Sequence, residues 1–253
     1  FTFGLLFALI TGLSLWEFAR LVNSKEDVSV NPFITTMGGV LLFLAFFCYC
    51  TEASDARIFI PYLLILIYLF VSELYRKQSS PLNNWAYSFL SQIYVALPFA
   101  LLCVLAFQRN TDLSESSPVS FNAILPLSVF IFNWSNDTGA YCTGMLFGKH
   151  RLFARISPKK SWEGFIGGLV GAMVMGYVAS TFMEGTHAIW IGMALIAAIT
   201  GVFGDLVESL LKRSVDVKDS GNILPGHGGW LDRFDALLLS IPFVFIYLVF
   251  CID

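Results

Sequence analysis

The sequence predicts an all-α, polytopic integral membrane protein with about eight transmembrane helices. Three observations carry that expectation. The 253 residues are 57% hydrophobic and only 13% charged, where a soluble globule carries about 25% charged residues, so the chain lacks the polar surface to face water all round. The apolar residues fall into eight runs, each near the ~20 residues that a spanning helix needs. The runs are continuously apolar and lack the strand alternation of an outer-membrane barrel.

In chain order the runs are Thr2–Leu21, Phe33–Cys50, Ile58–Tyr75, Trp85–Phe107, Phe121–Cys142, Gly164–Met183, Ile189–Leu211 and Phe234–Ile252. The first has no basic leader and no small-residue cleavage site, so it reads as a span and not as a signal peptide. Phe1 is not an initiator methionine, so the N-terminus is expected to lie upstream, with room for one more span before it. Trp16, Trp85, Trp162 and Trp190 lie near run ends, where aromatic residues anchor helices at the membrane interface. Gly164, Gly167, Gly168 and Gly171 form small-xxx-small pairs in the sixth run, a packing surface within a protomer or across a homodimer. Cys48, Cys50, Cys103, Cys142 and Cys251 lie in or at the ends of apolar runs and read as structural thiols, with no zinc or disulfide framework. Two regions are expected: residues 1–120 as structural, lipid-facing helices, and residues 121–253 as the region bearing the chemistry.

The loops set the orientation. Arg20, Lys25, Arg76, Lys77, Lys149, Arg151, Arg155, Lys159, Lys160, Lys212, Arg213, Lys218 and Arg233 fall on one side, and only Arg57 and Arg109 on the other. The positive-inside rule makes the first side cytoplasmic. A net charge of −3 implies no nucleic-acid partner.

Carboxylates at helix depth cost roughly 2.5–3.5 kcal/mol on insertion scales and are functional candidates by default. Asp137 stands near the end of the fifth run, and Asp205 and Glu208 near the end of the seventh. Asp205, Glu208, Ser209 and Lys212 share one helical face, as do Asp232 and Asp235 at the start of the eighth. Acids gathered beside Lys and Arg are what a Mg²⁺–phosphate site requires, since Mg²⁺ takes hard oxygen ligands and keeps room for phosphate. Neutralisation of nearby Lys and Arg is the alternative, strongest for Glu208. Ser161 is placed to N-cap the sixth helix, whose first N–H groups would face an anion, with Lys159 and Lys160 just ahead.

The densest polar island lies between the last two runs. From Ser209 to Asp235 it holds eight charged residues, His227 and four glycines. Ser209, Lys212-Arg213, Lys218-Asp219, Gly221, Pro225, His227-Gly228-Gly229, Asp232-Arg233 and Asp235 resemble the signature of the phosphatidate cytidylyltransferase (CDP-diacylglycerol synthase) family. Asn136-Asp137-Thr138-Gly139-Ala140-Tyr141 and Ser157-Pro158-Lys159-Lys160-Ser161-Trp162-Glu163-Gly164 are similar to that family's other polar segments. The resemblance covers roughly the second half of the chain.

It implies a Mg²⁺-dependent membrane enzyme of phospholipid biosynthesis that takes CTP and phosphatidate to CDP-diacylglycerol and pyrophosphate. Asp205 and Asp232 would hold Mg²⁺, with Asp235 and Asp137 supporting them or holding a second cation. Lys212, Arg213, Lys218 and Arg233 would bind the CTP phosphates or the leaving pyrophosphate. Asp219, Ser209, His227 and the Gly228-Gly229 backbone belong to the same pocket. Lys159, Lys160 and Ser161 would take the phosphatidate headgroup. The expected setting is a multi-pass protein, a homodimer, in the bacterial inner membrane with its active site on the cytoplasmic side. A CTP-dependent lipid kinase and a transporter of a phosphorylated solute are the alternatives. The aspartate motif of a CDP-alcohol phosphotransferase is absent.

Overall fold

The computed structural model describes residues 1–77, 80–109, 119–183, 185–217, 220–221 and 229–252, the side chains of Arg109 and Ile252 excepted. It divides into two compact units: Phe1–Asn122 with Val215–Arg233, and Ala123–Ser214 with Phe234–Asp253.

The first unit opens with α1 (Thr2–Val22) and α2 (Pro32–Cys50), which pack together. Asn31 caps α2, its side chain accepting from the Phe33 and Ile34 N–H groups, and Pro32 at the first helical position has no N–H to leave unsatisfied. A short 3₁₀ turn (Ala56–Phe59) leads into α3 (Ile60–Arg76). Leu69 and Glu73 are buried in α3, while Leu63, Leu64, Ile67, Phe70 and Leu74 are exposed. An exposed apolar face of that kind marks a surface covered by lipid or by another protein.

Helix α4 (Pro81–Ser91) continues through one π turn (Gln92–Ala96) into α5 (Leu97–Ala106). Pro98 has no N–H for the Tyr94 carbonyl, and the Leu97 N–H reaches back five residues to Gln92. Strands β1 (Phe107–Arg109) and β2 (Val119–Phe121) pair antiparallel, Phe107 opposite Phe121.

The second unit contains α6 (Ile124–Phe147), the hairpin β3 (Arg151–Phe153) and β4 (Ser157–Ser161), α7 (Trp162–Phe182), α8 (His187–Ser214) and α9 (Asp235–Ile252). Helix α7 packs on α6 and α8, and α9 packs on α8. Glycine makes the α6–α7 contact possible. A Cβ on Gly139 would lie 2.7 Å from the Gly167 carbonyl oxygen, and one on Gly168 would lie 2.8 Å from the Asn136 carbonyl oxygen. The glycine stripe is therefore taken up inside the chain.

Among the described residues, six segments are long and apolar enough to cross a membrane: Thr2–Val22, Pro32–Cys50, Ala56–Arg76, Pro81–Ala106, Trp162–Phe182 and His187–Ser214. The protein is an all-α, polytopic membrane protein, with two short antiparallel strand pairs among the described residues. The other two expected spans are helices of a different kind. Helix α6 carries Asn133, Ser135, Asn136, Asp137 and Thr138 through its middle, and the apolar stretch of α9, Asp235–Cys251, is short. Helix α6 also runs five residues beyond Cys142, where the expected span ends, so Asp137 stands inside the helix and not near its end. Trp190, expected as an interface anchor, is buried.

Candidate active site

A cleft of about 380 Å³ lies in the second unit, among α6, α7 and the β3–β4 hairpin. Asn136, Asp137 and Tyr141 come from α6, Lys159 and Lys160 from β4, and Ser161 from the start of α7. The hairpin is what turns two consecutive lysines toward α6. It is tied to α7 at its base by Glu163, whose carboxylate accepts from the Lys149 and His150 N–H groups at 3.2 Å and lies 2.6 Å from His150 Nδ1. Ser161 caps α7, its Oγ accepting from the Gly164 N–H at 3.1 Å. Helix α7 thus begins at the cleft wall, with Lys159 exposed and Lys160 half-buried beside it.

Next along α8, Asp205 and Glu208 meet Asp235 at the first residue of α9, with one oxygen of each within 4.8 Å of the others. Helical spacing explains the first two, which stand one turn apart on one face. The antiparallel contact of α9 with α8 supplies the third. Two lysines neutralise the cluster. Lys160 Nζ is 2.6 Å from Asp205 Oδ2, and Lys212 Nζ is 2.5 Å from Glu208 Oε2. Ser209 Oγ donates to Asp205 Oδ1 at 3.2 Å, and the Ala236 N–H donates to Asp235 Oδ1 at 2.6 Å. The Glu208 side chain is fully buried. Three carboxylates held this close, on a helix face and a helix start, form a hard-oxygen set suited to a divalent cation.

Lys160 belongs to both places: it pairs with Asp205 and lines the cleft. Asp137 lines the cleft and is not one of the three clustered acids. Arg213 is exposed at the end of α8.

Asp232 and Gly229, which the motif groups with these residues, sit in the first unit. Asp232 Oδ2 accepts from the Gly229 N–H at 2.8 Å and from the Ser220 N–H at 3.2 Å, closing the loop ends onto each other. Arg233 is exposed on a 3₁₀ turn, Leu231–Arg233. Lys218, Asp219, His227 and Gly228 lie outside the described residues.

Two acids have more prominent places here than their sequence context assigned them. Glu208 joins Asp205 and Asp235 in the cluster and also pairs with Lys212, so both readings that the sequence left open for it meet in one place. Glu17, in α1, is 2% exposed and holds the loop from the other side. An acid inside an apolar run was the available signal in both cases, alone in α1 and one turn from Asp205 in α8.

Comparison with known proteins extends the likeness to the whole chain. A model described as the cytidylyltransferase family matches residues 1–251. The phosphatidate cytidylyltransferase of Haemophilus influenzae is 34% identical over 264 residues, spanning 99% of this chain and 90% of that protein. The chain belongs to the phosphatidate cytidylyltransferase family. Family members from Staphylococcus saprophyticus and Staphylococcus aureus (strain COL) are 46% and 47% identical over 125 residues, 49% of this chain and 48% of each relative.

The reaction that defines the family joins CTP and phosphatidate into CDP-diacylglycerol and releases pyrophosphate. The chain is accordingly a membrane nucleotidyltransferase of phospholipid metabolism. The likeness now reaches the first five helices, where the sequence offered no motif to compare.

Proposed function

We propose that the cleft among α6, α7 and the β3–β4 hairpin, with the Asp205–Glu208–Asp235 cluster beside it, is where the phosphate of phosphatidate attacks CTP. The observation that carries this reading is Lys160, one ammonium shared between the acid cluster and the cleft wall.

The donor set fits Mg²⁺, which favours carboxylate oxygens and retains positions for water and phosphate. Asp205, Glu208 and Asp235 would hold it, with Asp137 facing the cleft as a ligand for a second cation. Bound there, the ion would neutralise the charge that builds on the triphosphate.

The chain's own groups do the rest. A phosphate monoester brings about −1.5 to −2 charge, so charge repulsion between the two substrates is the first barrier. Lys159, Lys160 and the first N–H groups of α7 take the phosphatidate headgroup. Lys212 and Arg213 take the CTP phosphates, the part that the signature also assigns to Lys218 and Arg233, and Ser209 steadies Asp205. Asp219, His227, Gly228 and Gly229 are assigned to phosphate binding in this reading by the signature they belong to. One oxygen of the lipid phosphate forms a bond to the α-phosphorus of CTP, and the bond from that phosphorus to the bridging oxygen breaks. Pyrophosphate leaves with the bridging oxygen. The nucleophile is already an anion, so positioning and charge neutralisation suffice without a strong base.

The excess of Lys and Arg on one set of loops supports a cytoplasmic active site, and the bacterial relatives support the inner membrane. In this reading residues 1–120 are mainly a lipid-facing scaffold, residues 121–253 bear the chemistry, and α6 and α9 complete about eight spans. A homodimer remains an expectation without the glycine stripe behind it, and cross-linking in native membranes tests it.

The deciding experiment is pyrophosphate release by detergent-purified protein given CTP, phosphatidate and Mg²⁺. Release that needs all three, and stops with EDTA, is expected. CDP formed from CTP and diacylglycerol would instead identify a lipid kinase and overturn the assignment.

A further inference from the structure

The family signature does not stand alone on its loop: a carboxylate 203 residues away in sequence grips it. Glu17 is one turn short of the end of α1 and is 2% exposed. Its Oε2 accepts from the Trp230 N–H at 2.7 Å, its Oε1 accepts from the Leu231 N–H at 3.1 Å, and Oε1 also takes the Ser220 hydroxyl. Both oxygens are used. Asp232 accepts the Gly229 and Ser220 N–H groups. Two carboxylates therefore hold Ser220 together with the Gly229–Leu231 backbone.

Glycine is required on the face that meets Glu17. A Cβ at Gly229 would collide with the Glu17 carboxylate and with Ser220 Oγ, and one at Gly221 would lie 2.9 Å from Glu17 Cδ. Gly221 and Gly229 belong to the segment that resembles the family signature, and here their bareness serves Glu17 as well as any substrate phosphate.

Burying a carboxylate costs several kcal/mol after relaxation unless its oxygens are well bonded. Packing α1 against a loop does not need that expense, since an apolar residue could do it. A carboxylate does what an apolar residue cannot: it captures two consecutive backbone N–H groups and a hydroxyl at once, which fixes direction as well as position.

We infer that Glu17 is a positioning residue for the cytidylyl transfer: from α1 it sets Ser220 and the Trp230–Leu231 backbone in the register that catalysis needs. This rests on the proposed reaction, and it gives the first unit a part in that reaction beyond scaffolding.

The test uses the full-length protein in detergent micelles with phosphatidate, CTP and Mg²⁺. Glu17→Gln keeps the size of the side chain and leaves one acceptor oxygen where there were two. A misplacement of about 1 Å costs on the order of 10²-fold in rate, so kcat/KM should fall about 10- to 100-fold, with kcat bearing the larger share. Glu17→Asp keeps both oxygens on a shorter stem and should recover part of that loss. Hydrogen exchange should quicken in peptides covering residues 215–233 and stay unchanged in α6 and α7.

Glu73→Gln is the structural control. Glu73 is also a buried acid of the first unit, paired with Arg76 at 2.6 Å and accepting from Asn84 at 2.9 Å. That variant should melt at a lower temperature and keep the kcat of its folded fraction. If Glu17→Gln does not fold, Ser220→Ala, which removes one donor from the grip, decides the matter by the same readouts with a smaller loss. Near-native kcat in Glu17→Gln, or in Ser220→Ala where that is the variant that folds, overturns the inference. So does a loss of rate explained wholly by unfolding, with exchange raised throughout the chain. Absence of turnover in the wild-type protein would instead overturn the proposed reaction, and the exchange pattern would still report whether Glu17 holds the segment.

Discussion

Replacing Asp235 with asparagine should stabilise the metal-free protein while destroying its activity. Asp205, Glu208 and Asp235 bring three negative charges together, and Lys160 and Lys212 answer two of them. With the oxygens within 4.8 Å of one another, two unit charges repel by at least about 3.5 kcal/mol at an effective dielectric constant of about 20. Asp205 is 36% exposed, and solvent screening at such a position reduces the relief to about 1–2 kcal/mol. Against this stands the loss of a negative charge from the first turn of α9, about 0.3–1 kcal/mol. Asparagine keeps the acceptor for the Ala236 N–H. The net gain is about 1 kcal/mol, a rise in melting temperature of about 2–4 °C for a chain of this size.

The assay is thermal melting in detergent, at mildly alkaline pH and with EDTA present, followed by titration with Mg²⁺. The wild-type protein should gain about 2.7 kcal/mol at a hundredfold excess of Mg²⁺ over its dissociation constant. Asp235→Asn should lose most of that gain together with pyrophosphate release. An Asp235→Asn protein that melts lower than wild type in EDTA, or that responds to Mg²⁺ as wild type does, would refute the charge argument.

Three further predictions concern neighbouring contacts. Glu208→Gln strands the half-buried Lys212 beside a neutral amide and should cost about 3–5 kcal/mol of stability, seen as a lower melting temperature. Adding Lys212→Met should recover part of that loss without recovering activity, a coupling that a double-mutant cycle measures. Lys160→Met removes the ammonium shared by Asp205 and the cleft, and in steady-state kinetics it should raise KM for phosphatidate and lower kcat. Gly168→Ala drives a Cβ toward the Asn136 carbonyl oxygen at 2.8 Å and should cost about 1–3 kcal/mol by overpacking, read as a lower melting temperature in detergent.

Much of this protein follows from composition and spacing. Continuous apolar runs demand helices because the bilayer offers no partner for backbone N–H and carbonyl groups, and the helices stand close to where the runs lie. The pairing of Asp205 with Glu208 follows from the period of α8, and Ser161 is recognisable as a cap because it directly precedes an apolar helix. The hairpin behind Lys159 and Lys160 was not legible, since β3 and β4 are three and five residues long and their pairing depends on Glu163 drawing the chain back at the base. The polar middle of α6 also escaped hydropathy, because Asn133 and Asn136 are buried against neighbouring helices where the sequence shows only polar interruptions.

Long-range choices among the acids were decided by tertiary structure alone. Asp232 and Asp235 share a helical face in the sequence, yet Asp235 joins Asp205 and Glu208 while Asp232 receives the N–H groups of Ser220 and Gly229. Glu17 looks like an isolated acid until Ser220, Trp230 and Leu231 meet it. Local sequence determines where a carboxylate can point along its own helix. Which distant donors or acids meet it depends on how the chain returns, and that was set by the packing of α9 on α8 and of the loop on α1.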